Sequence, residues 1–246
     1  MNTTALLAAL TERFSALAET AELVRASREF RESGFTTIGF LAPDTVKAAV
    51  RAEAEALITA HGIRRELRLA ETGHTPRRMR NTRRSEIHRH GTVIPALYES
   101  EELRHAVAAI AGEPVLRCPY EPEQFVITEL TASGDTHGWH WDDYSFALVW
   151  VLDCPPVEEG GFVQYVPNTV WNKENPRLHS QFIGRSIISA ELRPDDLYLM
   201  RTDTSLHRVY PLRSGRRLIL NMAYAAHRDL DKTLSHETMD TLWAPS

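Results

Sequence analysis

The stretch THGWHWDDYSFALVW, Thr136–Trp150, crowds two histidines and two adjacent aspartates in front of an unbroken apolar run. The run, carried on to Asp153 as SFALVWVLD, reads as a strand. It is one of a series after Val115: EQFVITEL, SFALVWVLD, GFVQYVP, SIISAEL, DLYLMR and RRLILNMAY, separated by clusters of Pro, Gly, Asn and Asp. Several short strands at this spacing suggest a sandwich or jelly roll.

Before Val115 the pattern is helical. Leu6, Leu7, Leu10, Phe14, Leu17 and Leu23 recur at three- and four-residue intervals over residues 3–31, one apolar helical face that breaks at most once before Gly34. FTTIGFL follows as a short strand. Pro43 and Asp44 open a second helix that Gly62 ends, and Ser100 caps a third that runs to Gly112, with Glu101 and Glu102 at the positive end of its dipole. Helices first and strands second make the chain α+β. The basic segment TPRRMRNTRRSEIHRH, Thr75–His90, shows no convincing periodicity and is expected to be a loop, mostly solvated, with a few working arginines among Arg77, Arg78, Arg80, Arg83, Arg84 and Arg89.

Length and composition bound the function. At 246 residues one domain with a substantial core is expected, and 43% hydrophobic with 25% charged residues is ordinary for a soluble protein. No apolar stretch approaches the roughly 20 residues of a bilayer span. MNTTALLAALTERF has no basic start and acquires Glu12 and Arg13 too early for a signal peptide, so a cytoplasmic location is expected. Cys118 and Cys154 have no metal-binding spacing and suit a reducing compartment as small buried hydrophobes. A formal charge of −5, and a basic segment without aromatic residues, argue against nucleic acid or an anionic membrane as partner. Nothing in the sequence speaks to oligomeric state.

The chemistry sits in His140-Trp141-Asp142, an HxD triplet, and in His207 of DTSLHRVYP. Two imidazoles and one carboxylate on a β scaffold form the facial triad of non-haem Fe(II) oxygenases, which leaves open positions for reactants. HxD alone is weak evidence; the strand leading to His207 and the arginine ten residues after it add to it. In RRLILNMAY, Arg217, Ile219, Asn221 and Ala223 share one face and Leu218, Leu220, Met222 and Tyr224 the other. The second face packs. A guanidinium directed inward beside a metal needs an anion, and the C5 carboxylate of 2-oxoglutarate suits Arg217. Zinc is the main rival metal, but it has no evident use for that arginine. Arg216 is expected in solvent. Glu123 alternates with Phe125 and Ile127, and a carboxylate on such a face requires a cation.

HGWHWDDYSFALVWVLDCPPVEEGGFVQYVPNTVWNKENP and DLYLMRTDTSLHRVYPL…RRLILNMAYAA closely resemble the Fe(II)/2-oxoglutarate enzymes of free amino acids that include the radical lysine halogenases. The resemblance runs from about Gly34 to Trp243. It implies a double-stranded β-helix (a jelly-roll, cupin-like core) with helices packed on one side, and His140, Asp142 and His207 as ligands of Fe(II), with 2-oxoglutarate and O2 as co-substrates. It also implies that Glu123 and Asp143 hold a substrate ammonium, that His137, Asn221 and Trp243 surround the rest of the amino acid, and that Arg77 grips its α-carboxylate from a loop able to close over the site.

Two departures bear on the outcome. The halogenases have glycine at the position of Asp142, which vacates a place for chloride; here the carboxylate fills it, so the resemblance implies hydroxylation. They place threonine where this chain has Ala223, which puts the substrate and position in question rather than the reaction. Hydroxylation of free L-lysine, at C4 ahead of C5, is therefore expected. Ornithine or arginine hydroxylation, a non-catalytic metal-binding cupin and a halogenase are the alternatives.

Overall fold

The computed structural model describes residues 3–17 and 20–244. The N-terminal apolar face forms two helices, α1 (Thr3–Leu17) and α2 (Ala21–Ser33), and the hydroxyl of Thr20 caps the second by accepting from Leu23 N. Residues 18 and 19, between them, lie outside the described part. Strand β1 (Phe35–Thr37) leads to α3 (Asp44–His61), β2 (Ile63–Arg68), β3 (Pro76–Thr82), α4 (Arg84–His90), α5 (Val93–Glu99) and α6 (Glu101–Ala111). Ser100 caps α6 as its sequence requires, and Gly112 closes it in the left-handed conformation.

The strand-rich half follows: β4 (Leu116–Arg117), β5 (Phe125–Leu130), β6 (Thr136–His137), β7 (Phe146–Asp153), β8 (Val163–Val166), α7 (Leu178–Phe182), β9 (Ile188–Ala190), β10 (Leu197–Arg201), β11 (Leu206–Val209), β12 (Arg217–Ala225), α8 (His227–Leu230) and α9 (Glu237–Trp243). They build two antiparallel sheets. The larger has the order β1-β10-β7-β12-β5-β3-β2, with β4 on β12 and β6 on β3; the smaller is β11-β8-β9. Two sheets joined in this way, with helices on one outer face, are an α+β double-stranded β-helix, the jelly-roll relative that the family resemblance implied.

Alternation along the central strands sorts their side chains. Phe146, Leu148, Trp150 and Leu152 of β7, with Leu218, Leu220, Met222 and Tyr224 of β12, join Phe30, Val50, Ile58 and Ile110 of the helices in one buried core. The opposite face carries Ala147, Val149, Val151 and Ile219, which meet Val163 and Tyr165 of the small sheet. A concave floor results, its underside clamped by helices and its upper side free to carry polar groups.

Three expectations are corrected. The basic segment is not a solvated loop but β3 and α4. Arg77, Met79 and Asn81 are buried while Arg78 points outward, a period of two that the charged residues on both faces concealed. Arg77 therefore projects from a strand inside the sheet rather than from a closing loop. Arg216 is not in solvent: it donates to Glu55 at 2.7 and 2.8 Å and to Glu129 at 2.9 Å, tying α3 to the sheet. Glu123, finally, does not share a face with Phe125 and Ile127. A 3₁₀ turn, Glu121–Glu123, and a helical Gln124 interrupt the alternation, so Glu123 faces the cavity while Phe125 and Ile127 face the helices.

Asp229 fastens the entry of β7 to the exit of β12. It is buried and accepts from Ser145 N at 3.0 Å, Ala226 N at 2.8 Å and Lys232 Nζ at 2.5 Å. Burial raises its pKa, but these donors outweigh burial and the net shift is downward. Its stabilisation is then complete above the ordinary carboxyl range and is lost as pH falls through the depressed folded value. Asp229→Ala, which orphans two buried amides, is expected to cost about 3 kcal/mol in denaturant unfolding at neutral pH, with a smaller difference from the parent chain in strong acid.

Candidate functional site

His140 and His207 are brought together by backbone pairing. They face each other in an isolated antiparallel bridge, each donating its N–H to the other's carbonyl at 2.9 Å, and their ring centroids are 4.1 Å apart. Each ring is oriented from behind. The Nδ1 of His140 lies 2.6 Å from the Gly138 carbonyl and that of His207 2.8 Å from the Ser205 carbonyl. A carbonyl only accepts, so both Nδ1 atoms carry hydrogen and both Nε2 lone pairs are free for a metal. Glycine is needed at 138, because a Cβ there would sit 2.6 Å from the Pro76 carbonyl.

Asp142 completes the set. Its Oδ1 is 3.7 Å from His140 Nε2, its Oδ2 is 3.9 Å from His207 Nε2, and ligand atoms of the three residues lie within 4.8 Å of one another. Burial foremost, then the neighbouring His137 and His207, holds the pKa of His140 well below its usual value, which keeps the imidazole in its neutral, metal-binding form. The donor set and its tautomers fit a divalent transition metal on a face left open toward the cavity.

Unsatisfied charge surrounds this triad. Arg217, at the start of β12, is 1% exposed, and its Nε and Nη2 have no hydrogen-bond partner. Arg77 is also 1% exposed with Nε and Nη2 unpartnered. Burial lowers its pKa to about 10 while Asp142, Glu71, Asp143 and Glu123 oppose the shift, so it is cationic at neutral pH. Arg217 meets the Tyr198 hydroxyl, and neither guanidinium is ion-paired among the described residues, so the two call for two anions. Glu123 adds a buried carboxyl. Its Oε2 is buried without a partner, and its pKa is pushed well above the usual value by burial first and then by the charges of Asp143 and Asp142.

Of the residues singled out in the sequence, Arg77, Glu123, His137, His140, Asp142, Asp143, His207 and Asn221 line the cavity, whereas Arg217 and Trp243 are buried or half-buried outside its lining. His137 stacks on His140 at 3.6 Å with its Nε2 unpartnered, and it pairs across the strands with Arg77. Asn221 Oδ1 is buried and unpartnered, and Asn221 lines the cavity beside Ile219. Trp243 ends α9 with its Nε1 buried and unpartnered and its ring 5.5 Å from the Arg83 guanidinium. Asp143 stands apart, since Lys173 Nζ lies 2.6 Å from its Oδ1. Ala223, on the same face of β12 as Asn221, packs in a small cluster with Cys118 and Tyr144.

The sequence reading missed Lys173, which also reaches Glu237 of α9 at 3.4 Å, and Asn81, whose buried side chain donates to Thr128 at 2.9 Å on the cavity wall. Lys173 follows Trp171 in a segment without regular structure, and no local pattern links it to Asp143. Asn81 was recoverable from the period of two in β3.

A family model described as halogenase D matches residues 18–244. The chain belongs to the halogenase D family. No curated protein sequence matches it. Among solved structures, the chain is similar to AviO1 from Streptomyces viridochromogenes Tue57 with a TM-score of 0.64 and 20% identity, over 85% of this chain and 96% of that one. It is similar to the non-haem α-ketoglutarate-dependent epimerase SnoN of nogalamycin biosynthesis, with a TM-score of 0.60 and 18% identity over 84% and 83% of the two chains. A prolyl hydroxylase from Trichoplax adhaerens gives a TM-score of 0.59 and 14% identity over 86% and 94%. At such identities these likenesses establish the double-stranded β-helix for this member of the halogenase D family.

His207→Ala in chelator-treated protein is expected to weaken Co2+ binding at the triad at least 100-fold, the loss of one of three ligands, measured by the visible absorption of the bound ion. Gly138→Ala, which displaces the His140 backing carbonyl, is expected to weaken it about tenfold.

Proposed function

We propose that this halogenase D family member is an Fe(II)/2-oxoglutarate-dependent hydroxylase of a free basic amino acid, L-lysine foremost, acting at C4 ahead of C5. One observation carries the reading: the cavity that the triad opens onto is lined by the buried cation Arg77 and by the buried carboxyls of Glu123 and Asp143, with the buried Arg217 against Tyr198 of its wall.

The charges count out to a particular ligand. Arg217 takes the distal carboxylate of 2-oxoglutarate through two parallel hydrogen bonds. Arg77 takes the α-carboxylate of the amino acid, with His137, Asn221 and the indole N–H of Trp243 as further polar contacts. Glu123 and Asp143 present two carboxyls, and Lys173 meets Asp143 from within the chain. The other, Glu123, held toward its neutral form by burial and by Asp143 and Asp142, suits a single side-chain ammonium, whose arrival favours the carboxylate. A neutral side chain cannot form that ion pair, so discrimination arises from a charge-assisted contact that only a cationic side chain makes.

His140, Asp142 and His207 hold the iron. When bound, Fe(II) with 2-oxoglutarate and O2 supplies the oxidising power to replace C–H by C–OH, with succinate and CO2 as coproducts. The protein's part is positional. Arg77 at one end and the acid pair at the other fix the aliphatic chain, and the side-chain length sets which carbon lies nearest the triad. Lysine is favoured over ornithine and arginine on that ground. The carboxylate of Asp142, close to both imidazoles, fills the place a halide would take, so hydroxylation is preferred to the chemistry after which the family is named. Two free cysteines and the overall composition fit a cytoplasmic enzyme.

With heavy-isotope O2, L-lysine is expected to yield hydroxylysine carrying one labelled oxygen by mass spectrometry, and no chlorolysine in high chloride. Coupled succinate release is expected to be greatest with lysine; release with no amino acid modified would sink the substrate assignment. Glu123→Gln is expected to raise KM for lysine at least tenfold with little change in KM for 2-oxoglutarate, and Arg217→Gln to do the reverse.

A further inference from the structure

Away from the β-helix cavity, His61, Glu86 and His90 form a second cluster of ligating side chains. His61 is the last residue of α3, and Glu86 and His90 are one turn apart on α4. His61 Nδ1 and His90 Nε2 each lie 3.5 Å from the same Glu86 oxygen, Oε2, and ligand atoms of the three lie within 4.8 Å of one another. These separations are shorter than the 3.7 and 3.9 Å between Asp142 and the histidines of the triad. They approach the roughly 3.3 Å edge of a tetrahedral site with bonds of about 2.0–2.1 Å.

We propose that His61, Glu86 and His90 form a second metal site, taking a divalent transition ion of the Zn2+ type. Two imidazoles and a carboxylate are a ligand set suited to such an ion, with water completing the coordination. The imidazoles now lie face to face, with centroids 4.4 Å apart and planes 11° from parallel. Coordination requires the His90 ring to turn out of the stack, and its side chain, 43% exposed, has room to do so. Two cations lie close by: Arg89, whose Nη1 is 3.8 Å from the other Glu86 oxygen and whose side chain is 68% exposed and so screened by solvent, and Arg80, which is turned to the Thr59 and Gly62 carbonyls and to Glu129.

Such a site would be structural. It joins the end of α3 to α4, and α4 follows directly on β3, the strand that carries Arg77 and Asn81. A metal there links the helical layer to one wall of the cavity without touching the reactants.

The test uses the full chain, stripped by chelator, with the triad disabled by His207→Ala, and titrates Zn2+ alone by calorimetry. One equivalent is expected to bind, with a matching rise in thermal midpoint. Adding His90→Ala, or separately His61→Ala, is expected to abolish the equivalent or weaken it at least tenfold and to remove the thermal effect. The proposal is overturned if His207→Ala protein binds no Zn2+, or if the double variants retain the equivalent unchanged. Neither result bears on the hydroxylase reading, which rests on the other cluster.

Discussion

Burying a guanidinium without a counter-anion is among the costlier things a fold can do, and this one does it twice in a single sheet, with Arg77 and Arg217. The other face of the same sheet is dry and tightly packed. Leu148, Trp150, Leu218 and Leu220, all 2% exposed or less, lock β7 and β12 against the helices. Glu123, buried with an unpartnered oxygen, adds a carboxyl to the polar side. The cavity is thus a mould in charge as well as in shape.

The metal triad is positioned by a different and purely local device. Two mutual backbone hydrogen bonds between His140 and His207 set the rings side by side, and the carbonyls two residues before each one fix their tautomers. Asp142 then falls in place because an HxD spacing puts both side chains on one side of an extended chain. A substitution of that carboxylate would leave the imidazole pair intact and open one coordination position.

Much of the site was legible in the sequence, for reasons that differ by residue. The inward face of β12 followed from alternation alone, because Arg217 and Asn221 stand out among aliphatic neighbours. The triad of His140, Asp142 and His207 followed from HxD and the later histidine, and the residues proposed to contact substrate followed mainly from resemblance. What stayed hidden is instructive. Strand β3 looked like a loop because arginines occupy both its buried and its exposed positions, and hydrophobic periodicity cannot register a buried charge. Glu123 was placed in the right cavity by way of the wrong face, since a 3₁₀ turn breaks the alternation just before β5. Lys173 was invisible because its contact with Asp143 is made across the fold by a segment without regular structure.

On the proposed function, the buried guanidiniums and carboxyls of the cavity are the imprint of a zwitterionic amino acid bearing one extra ammonium. A crystal structure with L-lysine, 2-oxoglutarate and a redox-inert divalent metal, grown without oxygen, tests this directly. The side-chain ammonium is expected between Glu123 and Asp143, the α-carboxylate on Arg77, 2-oxoglutarate on Arg217, and C4 as the carbon nearest the metal. Lysine bound in the reverse orientation, or absent while Arg77 finds an anion of another kind, would contradict it.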